Sequence, residues 1–357
     1  MTRWDDLPDV RSPVGRTFDD IMEEGAQRQD LPGYEPIYRD FVDYILRCTH
    51  RIWEEKNIGL CRTHYGADCV MHTLAGPASG IEIVVQGTIG ALSMSSDRQV
   101  IGEDVIWSDE GNGELYSSHR IVSTSTHFGE DLTLGSATRR EAGAMTIADC
   151  LCKENKIIEE WLVRDNLRAV WQVGLDPWEV ARSQAKTDLE GEQDRHSWRT
   201  EKITQVRKGE SVPIQDNHPA ELPANMLSLA LTEDLYGDAA KALSPAAEVR
   251  WPVNRHGYGR GYWVGCMTQL RGALHQPSFT LDHVAARPLP GGDISVALRW
   301  SLAGVHNGKG VWGDPSGKDL LVMAVSHYRL REGKVMEDIT VFDELAILRQ
   351  IEGGLGA

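Results

Sequence analysis

The chain has 357 residues, a length that suits two ordinary domains, and its 41% apolar and 25% charged content lets each of them bury a core. With 37 Lys and Arg against 53 Asp and Glu the net charge is −16, which argues against a nucleic-acid-binding surface, where Lys and Arg must concentrate, and against an anionic membrane as partner. The opening Met1-Thr2-Arg3-Trp4-Asp5-Asp6 has no apolar h-region, and no apolar run reaches the ~20 residues needed to cross a bilayer. The expectation is a soluble, cytoplasmic protein whose partner is a small molecule.

Residues 1–33 read as an acidic N-terminal extension containing Pro and Gly, with no legible role. From Tyr38 to Asn57 the apolar positions Tyr38, Phe41, Val42, Ile45, Leu46, Ile52 and Trp53 recur at helical spacing. His64, Cys61, Cys69 and His72 then supply metal-donor types, but their spacing matches no metal pattern and there is no CxxC pair, so no metal is expected. Three strands rich in Val, Ile and Thr follow as a meander over 114–128, 142–153 and 156–164. Cys150 and Cys152 share one face of the middle strand and read as buried small hydrophobes. Asp176-Pro177-Trp178-Glu179 reads as a helix start. Residues 181–222 are highly charged, contain Pro213 and Pro219, and read as a linker with a helix at its start.

The second half repeats the first. A helical stretch over 224–242 precedes a meander over 293–306, 319–331 and 334–342. Ser118 to Gly129 aligns with Ala297 to Gly308 at an offset of 179, and Lys156 to Asp165 aligns with Lys334 to Asp343 at 178. Two copies at half the chain length mean a duplicated domain rather than a solenoid. The expected class is α+β, with helices on one face of a mainly antiparallel sheet in each copy, and domains at 34–180 and 223–357. At these offsets His72 is expected to correspond to Trp251. Gly257-Tyr258-Gly259-Arg260-Gly261 is rich in glycine, but no βαβ unit follows it and no dinucleotide fingerprint is read there.

The motifs Gly304-Val305-His306-Asn307-Gly308, Pro315-Ser316-Gly317-Lys318 and Arg331-Glu332-Gly333-Lys334-Val335 resemble those of the SnoaL-like polyketide cyclases, in the nuclear-transport-factor-2-like superfamily. Glu159-Glu160-Trp161 with Asp165, Leu167 and Gln172-Val173-Gly174 resembles the family's C-terminal ending. The resemblance covers about 38–178 and 224–353. It implies two tandem cystatin-like cones, each a curved sheet wrapped around helices with an apolar pocket, and chemistry that needs no cofactor or metal. The family's acid/base Asp falls at Leu162 and Thr340 and its His at Ala148 and Ser326, so that pair is not carried over.

An apolar cavity raises carboxylate pKa values and makes such groups useful near neutral pH. By resemblance Glu160 and Asp338 line the pocket, though a solvated strand end also accounts for them. Glu160 or His72 is the expected base, with His127 as orienting partner and Asp165 as a further catalytic candidate; an N-cap role also explains Asp165 and Asp343. His119, Ile121, Ser123, Ser125 and His127 share a polar strand face, matched in the second copy by Leu298, Trp300, Leu302, Gly304 and His306; this face lines a pocket or forms an interface. Asp149 and His327 are expected on the opposite, outer sheet face. Trp107, His119, Trp251, Trp263, Trp300, His306, Asp338 and Asp343 are the expected substrate-binding residues. The expected function is a cofactor-independent acid/base enzyme (lyase, isomerase, dehydratase or hydrolase) for an apolar ketone, hydroxy compound or lactone. The alternative is a binding or dimerisation module, with a homodimer or an intrachain pseudo-dimer as the assembly.

Overall fold

A computed structural model describes Trp4 and residues 27–130, 134–191 and 193–353. Of the expected extension at 1–33, residues 1–3 and 5–26 lie outside the described residues. The chain divides into two compact units. The first takes the chain up to Thr73, Pro77–Arg164 and Ala169–Gly174; the second takes Leu74–Gly76, Asp165–Arg168 and the chain from Leu175.

In the first unit the helical pattern forms α1 (Phe41–Trp53), followed by α2 (Cys61–His64), β1 (Tyr65–Thr73), β2 (Gly76–Ser79), α3 (Ile81–Met94), β3 (Gln99–Gly111), β4 (Glu114–Thr126), β5 (Glu141–Lys153) and β6 (Lys156–Arg164), and then α4 (Asn166–Gln172), which is divided between the units after Arg168. The sheet order is β2-β1-β6-β5-β4-β3. β3 to β6 form the antiparallel meander, and β1 joins it parallel to β6. Asp40 starts α1 by accepting the Asp43 amide at 2.7 Å. Asp40→Ala is expected to lower stability by about 1 kcal/mol in a urea titration. The apolar stripe of α1, with Phe41, Tyr44 and Ile45, is buried in one cluster with Val105, Trp107, Leu115, Ala148, Cys150 and Leu162 of the sheet. The inner face of the sheet is therefore the face that carries those residues.

The second unit follows the same order. α5 (Pro177–Gly191), α6 (Gln193–Lys208), α7 (Glu221–Leu231) and α8 (Tyr236–Ala239) lead to β7 (Leu243–Trp251), β8 (Arg255–Tyr258), α9 (Arg260–Gly272), β9 (Leu274–Pro288), β10 (Ile294–His306), β11 (Asp319–Arg331), β12 (Lys334–Phe342) and α10 (Glu344–Gly353). The sheet order is β8-β7-β12-β11-β10-β9, with β7 parallel to β12. The single helix expected over 224–242 is two, because the chain turns through Asp234 at φ 57°. The stretch expected as a linker is helical up to Lys208, and it is tied to the second sheet: Lys202 pairs with Asp282 at 3.1 Å, Arg207 with Asp319, and the Val212 amide donates to Leu281 O at 2.8 Å.

The copies match row for row across their sheets. Met71, Glu160, Cys150, Ser117 and Trp107 are successive cross-strand partners on β1, β6, β5, β4 and β3. Val249, Asp338, Tyr328, Val296 and Ala286 form the same row in the second unit. The turn from β1 to β2 is Leu74-Ala75, whereas β7 reaches β8 through Pro252-Val253-Asn254. That extra residue moves the offset from 178 to 179. It also corrects the expected pairing of His72 with Trp251: the residue equivalent to His72 is Arg250, and Trp251 corresponds to Thr73.

α3 and α9 each start from a glycine at positive φ, Gly80 at 96° and Gly259 at 84°. Their amides donate to Cys69 O and Ala247 O. A Cβ on Gly259 would sit 2.9 Å from Pro245 O, so glycine is required there for both dihedral and space.

Candidate functional site

Side chains alternate across a strand, so the row through Glu160 places its carboxylate on the inner face with Cys150, Ser117 and Trp107. Glu160 is 8% exposed. Burial pushes its carboxyl above the usual carboxylate range, against the opposing field of Arg164 and a hydrogen bond from the Tyr65 hydroxyl. Cys48, Cys61, Cys69 and Cys150 lie within electrostatic reach of it. Burial raises every one of these thiols, Cys69 to about 11, so they surround the carboxylate as neutral small groups rather than as thiolates. Among the described residues no group of three His, Cys, Asp or Glu side chains is placed to hold a metal ion. His64, one of the donors considered for such a cluster, is buried with Nε2 2.5 Å from the Tyr38 hydroxyl.

Asp338, the equivalent carboxylate, is in a different environment. It is 0% exposed. Trp263 Nε1 donates to its Oδ2 at 2.7 Å, and the Thr340 hydroxyl donates to its Oδ1 at 2.7 Å. Thr340 Oγ1 lies 2.7 Å from Ser326 Oγ, and Trp300 Nε1 donates to Ser326 Oγ at 2.9 Å. Each hydroxyl has one hydrogen, which sets the direction of the chain. Thr340 spends its hydrogen on Asp338, so Ser326 donates to Thr340. Burial raises the Asp338 carboxyl to about 6, although the hydrogen bonds of Thr340, Trp263 and Trp251 favour the ionised form.

The positions that the family resemblance assigned to its acid/base pair are cross-strand neighbours in both units: Leu162 faces Ala148, and Thr340 faces Ser326. The first pair is apolar. The second is the hydroxyl pair that relays to Asp338.

The structure separates the other expected residues. His72 pairs with Trp161 across β1 and β6, stacks on it at 5.2 Å, and bonds Glu159 Oε1 at 2.7 Å. It therefore occupies the sheet face opposite Glu160, and the two do not share a site. Asp149 lies in the same outward row, where Tyr116 and Ser118 donate to it. His119 is on the inner face, one row from Glu160, with Nε2 buried beside Gly102. Burial lowers its pKa to about 3, so it is a neutral imidazole.

His127 and His306 hold the loops after β4 and β10. The Thr138 and Ser316 amides donate to their Nδ1 atoms at 3.4 Å, so Nδ1 is the accepting nitrogen and Nε2 carries the ring hydrogen. His127 is thus placed as a loop clasp, away from the Glu160 row. Asp343 accepts the Ala346 amide at 3.1 Å at the start of α10. Asp165 accepts the Arg168 amide at 3.4 Å at the start of α4. Trp107 packs edge-on to Phe41 at 5.8 Å, and Trp251 packs edge-on to Phe342 at 5.8 Å. The polar groups around the two carboxylates that the sequence reading did not select as site residues are Tyr65, Thr340 and Tyr328. The available signal was parity: Thr340 is two residues from Asp338 on one strand, and Tyr328 occupies the Cys150 position.

Residues 248–351 match the model of the SnoaL-like polyketide cyclase family. This bears out the resemblance read from the motifs, directly over most of the second copy, while the first copy repeats its strand order. Among curated proteins none matches. Solved structures similar to parts of the chain include IdmH from Streptomyces antibioticus (18% identical, 38% of this chain and 98% of that one, TM-score 0.31) and TsrD from Streptomyces laurentii (18% identical, 40% and 100%, TM-score 0.33). Among the described residues no helix is long and apolar enough to cross a membrane. The SnoaL-like segment takes in Asp338, Thr340 and Ser326, and it begins inside β7, after the helices that precede that strand.

Proposed function

We propose that the first domain is a cofactor-independent general acid/base site in which Glu160 takes and returns a proton. The observation that carries this reading is the contrast between the two equivalent carboxylates. Both oxygens of Asp338 accept a hydrogen bond and the residue has no exposed surface. Glu160 keeps some exposure, is bonded by one neutral hydroxyl, and has its proton affinity raised by burial. A base must be reachable and its proton affinity must suit the working pH; of the two carboxylates Glu160 alone keeps exposed surface, and burial moves its proton affinity upward.

The substrate class that fits is an apolar ketone, hydroxy compound or lactone. The wall around Glu160 is Met71, Cys150 and Trp107, with one unpartnered hydroxyl, Ser117 Oγ. Glu160 and Ser117 lie in one cross-strand row on the inner face, with Cys150 between them. Deprotonation next to a carbonyl, followed by return of the proton elsewhere, is the elementary step that isomerases, lyases and dehydratases share.

The test is exchange of the α-hydrogens of β-tetralone for deuterium in D2O, followed by NMR. The wild-type chain should accelerate it and Glu160→Gln should not; equal rates in the two would refute the assignment. His72→Ala, on the opposite face, is expected to leave the rate within about twofold, since a single solvent-facing contact of this kind is worth no more than ~1 kcal/mol.

A further inference from the structure

At one end of the first unit's inner sheet face the residues turn basic. Beyond the row of Leu162, Ala148, His119 and Val105, the next inward row is Arg164, Thr146, Ile121 and Gly102. The row after it holds Ala144, Ser123 and Val100, and Arg98 donates to Ser123 Oγ at 3.3 Å. The Arg98 guanidinium also lies over the Trp53 ring at 5.2 Å. Burial, and with it the charge of Arg164, lowers this guanidinium to about 10, and among the described residues no carboxylate pairs with it. Two cations are thus gathered at a hydroxyl that has nothing to bond: Thr146 is 6% exposed and its Oγ1 is without a partner. His119 Nε2, in the preceding row, is buried without one as well. Solvent reaches this end of the face, because Arg98, Val100, Ile121, Ala144 and Arg164 all keep exposed surface.

The second copy shows that the fold does not require this cluster. Its equivalent row is Phe342, Ala324, Trp300 and Leu281, and the positions of Ser123 and His119 are Leu302 and Leu298. Apolar groups close that end of the second sheet, whereas the first places like charges together, which is unfavourable until an anion joins them.

We propose that the first domain holds its ligand by a carboxylate, seated between the Arg98 and Arg164 guanidiniums and bonded by the Thr146 hydroxyl. Guanidinium groups match a carboxylate in shape as well as charge. The anion carries a single charge, because Glu160 stands two residues from Arg164 on the same face of β6 and a dianion such as phosphate would leave negative charge in excess. The rest of the ligand is apolar, to suit Val100, Ile121 and Ala144. On the Glu160 reading, on which this step alone rests, the substrate narrows to a keto or hydroxy acid.

The test compares 2-naphthylacetate with 2-naphthylacetamide, a neutral compound of the same shape. Binding to the full-length chain is measured by equilibrium dialysis at matched ionic strength, with folding followed by circular dichroism. The wild type should bind the acid at least about tenfold more tightly than the amide, the usual worth of a charge-assisted pair. Arg98→Gln should reduce that preference below about threefold. Thr146→Val, which keeps the shape and charge of the site, should lower it by about threefold. Excess inorganic phosphate should not displace the acid, whereas excess benzoate should. Equal binding of acid and amide by the wild type would overturn the proposal, as would a folded Arg98→Gln or Thr146→Val variant that keeps the full preference. Displacement by phosphate as readily as by benzoate would overturn the carboxylate assignment. If Glu160→Gln fails to slow deuterium exchange, the base is lost and the acid preference stands; if acid and amide bind equally, the seat is lost and the base stands.

Discussion

Replacing Glu160 with Gln is expected to lower the rate of β-tetralone deuteration by about 10²–10⁴-fold, the usual contribution of a positioned general base. Gln keeps the size and can still accept the Tyr65 hydroxyl, so the fold should be retained and the loss should come from the missing proton acceptor. The wild-type rate should rise with pH as Glu160 ionises, with its midpoint above the ordinary 4.5 because burial raises the carboxyl. The rise should be absent in Glu160→Gln. A variant with full activity, or a wild-type profile flat from acid to neutral pH, would show that the proton is handled elsewhere.

The second large effect is on stability and belongs to Asp338. Asp338→Ala removes the acceptor for Trp263 Nε1 and for the Thr340 hydroxyl in a closed interior. Stranding such donors and leaving a small cavity should cost about 3–4 kcal/mol in urea or guanidinium titrations. A pH dependence accompanies it. The folded carboxyl titrates at about 6 against 3.8 when unperturbed, so the native state binds the proton more tightly than the unfolded chain does. Its contribution to stability is complete below about pH 4 and is lost as the pH rises through about 6. Relative to Asp338→Asn, the wild type should lose about 2 kcal/mol between pH 4 and pH 7. A wild type that runs parallel to Asp338→Asn over that range would mean that the hydrogen bonds fully offset the desolvation.

Much of the architecture was legible in the residues. The strands of the meander fall within two residues of the expected spans, and 156–164, 319–331 and 334–342 coincide with β6, β11 and β12. Apolar alternation and tight turns such as Glu154-Asn155, both at positive φ, are local signals, and local signals survive folding. The duplication was legible for a related reason, because equivalent rows need equivalent side chains and therefore leave an offset in the sequence. The error over His72 has an equally local cause: one extra residue in the β7–β8 turn shifts the pairing by one, and one step on a strand reverses the face.

The sequence by itself determined two copies of an α+β domain, the meander registers, and a carboxylate at the same strand position in each, because periodicity and repetition along the chain are enough to specify them. Only the tertiary structure decided that these carboxylates differ. Trp263 is 75 residues away from Asp338 in the chain, and Tyr65 is 95 away from Glu160, so which one is wholly buried and which one keeps a little exposed surface depends on groups that meet only when the sheet closes over its helices. Desolvation and hydrogen bonding act through space over a few ångströms, and no pattern along the chain encodes those distances.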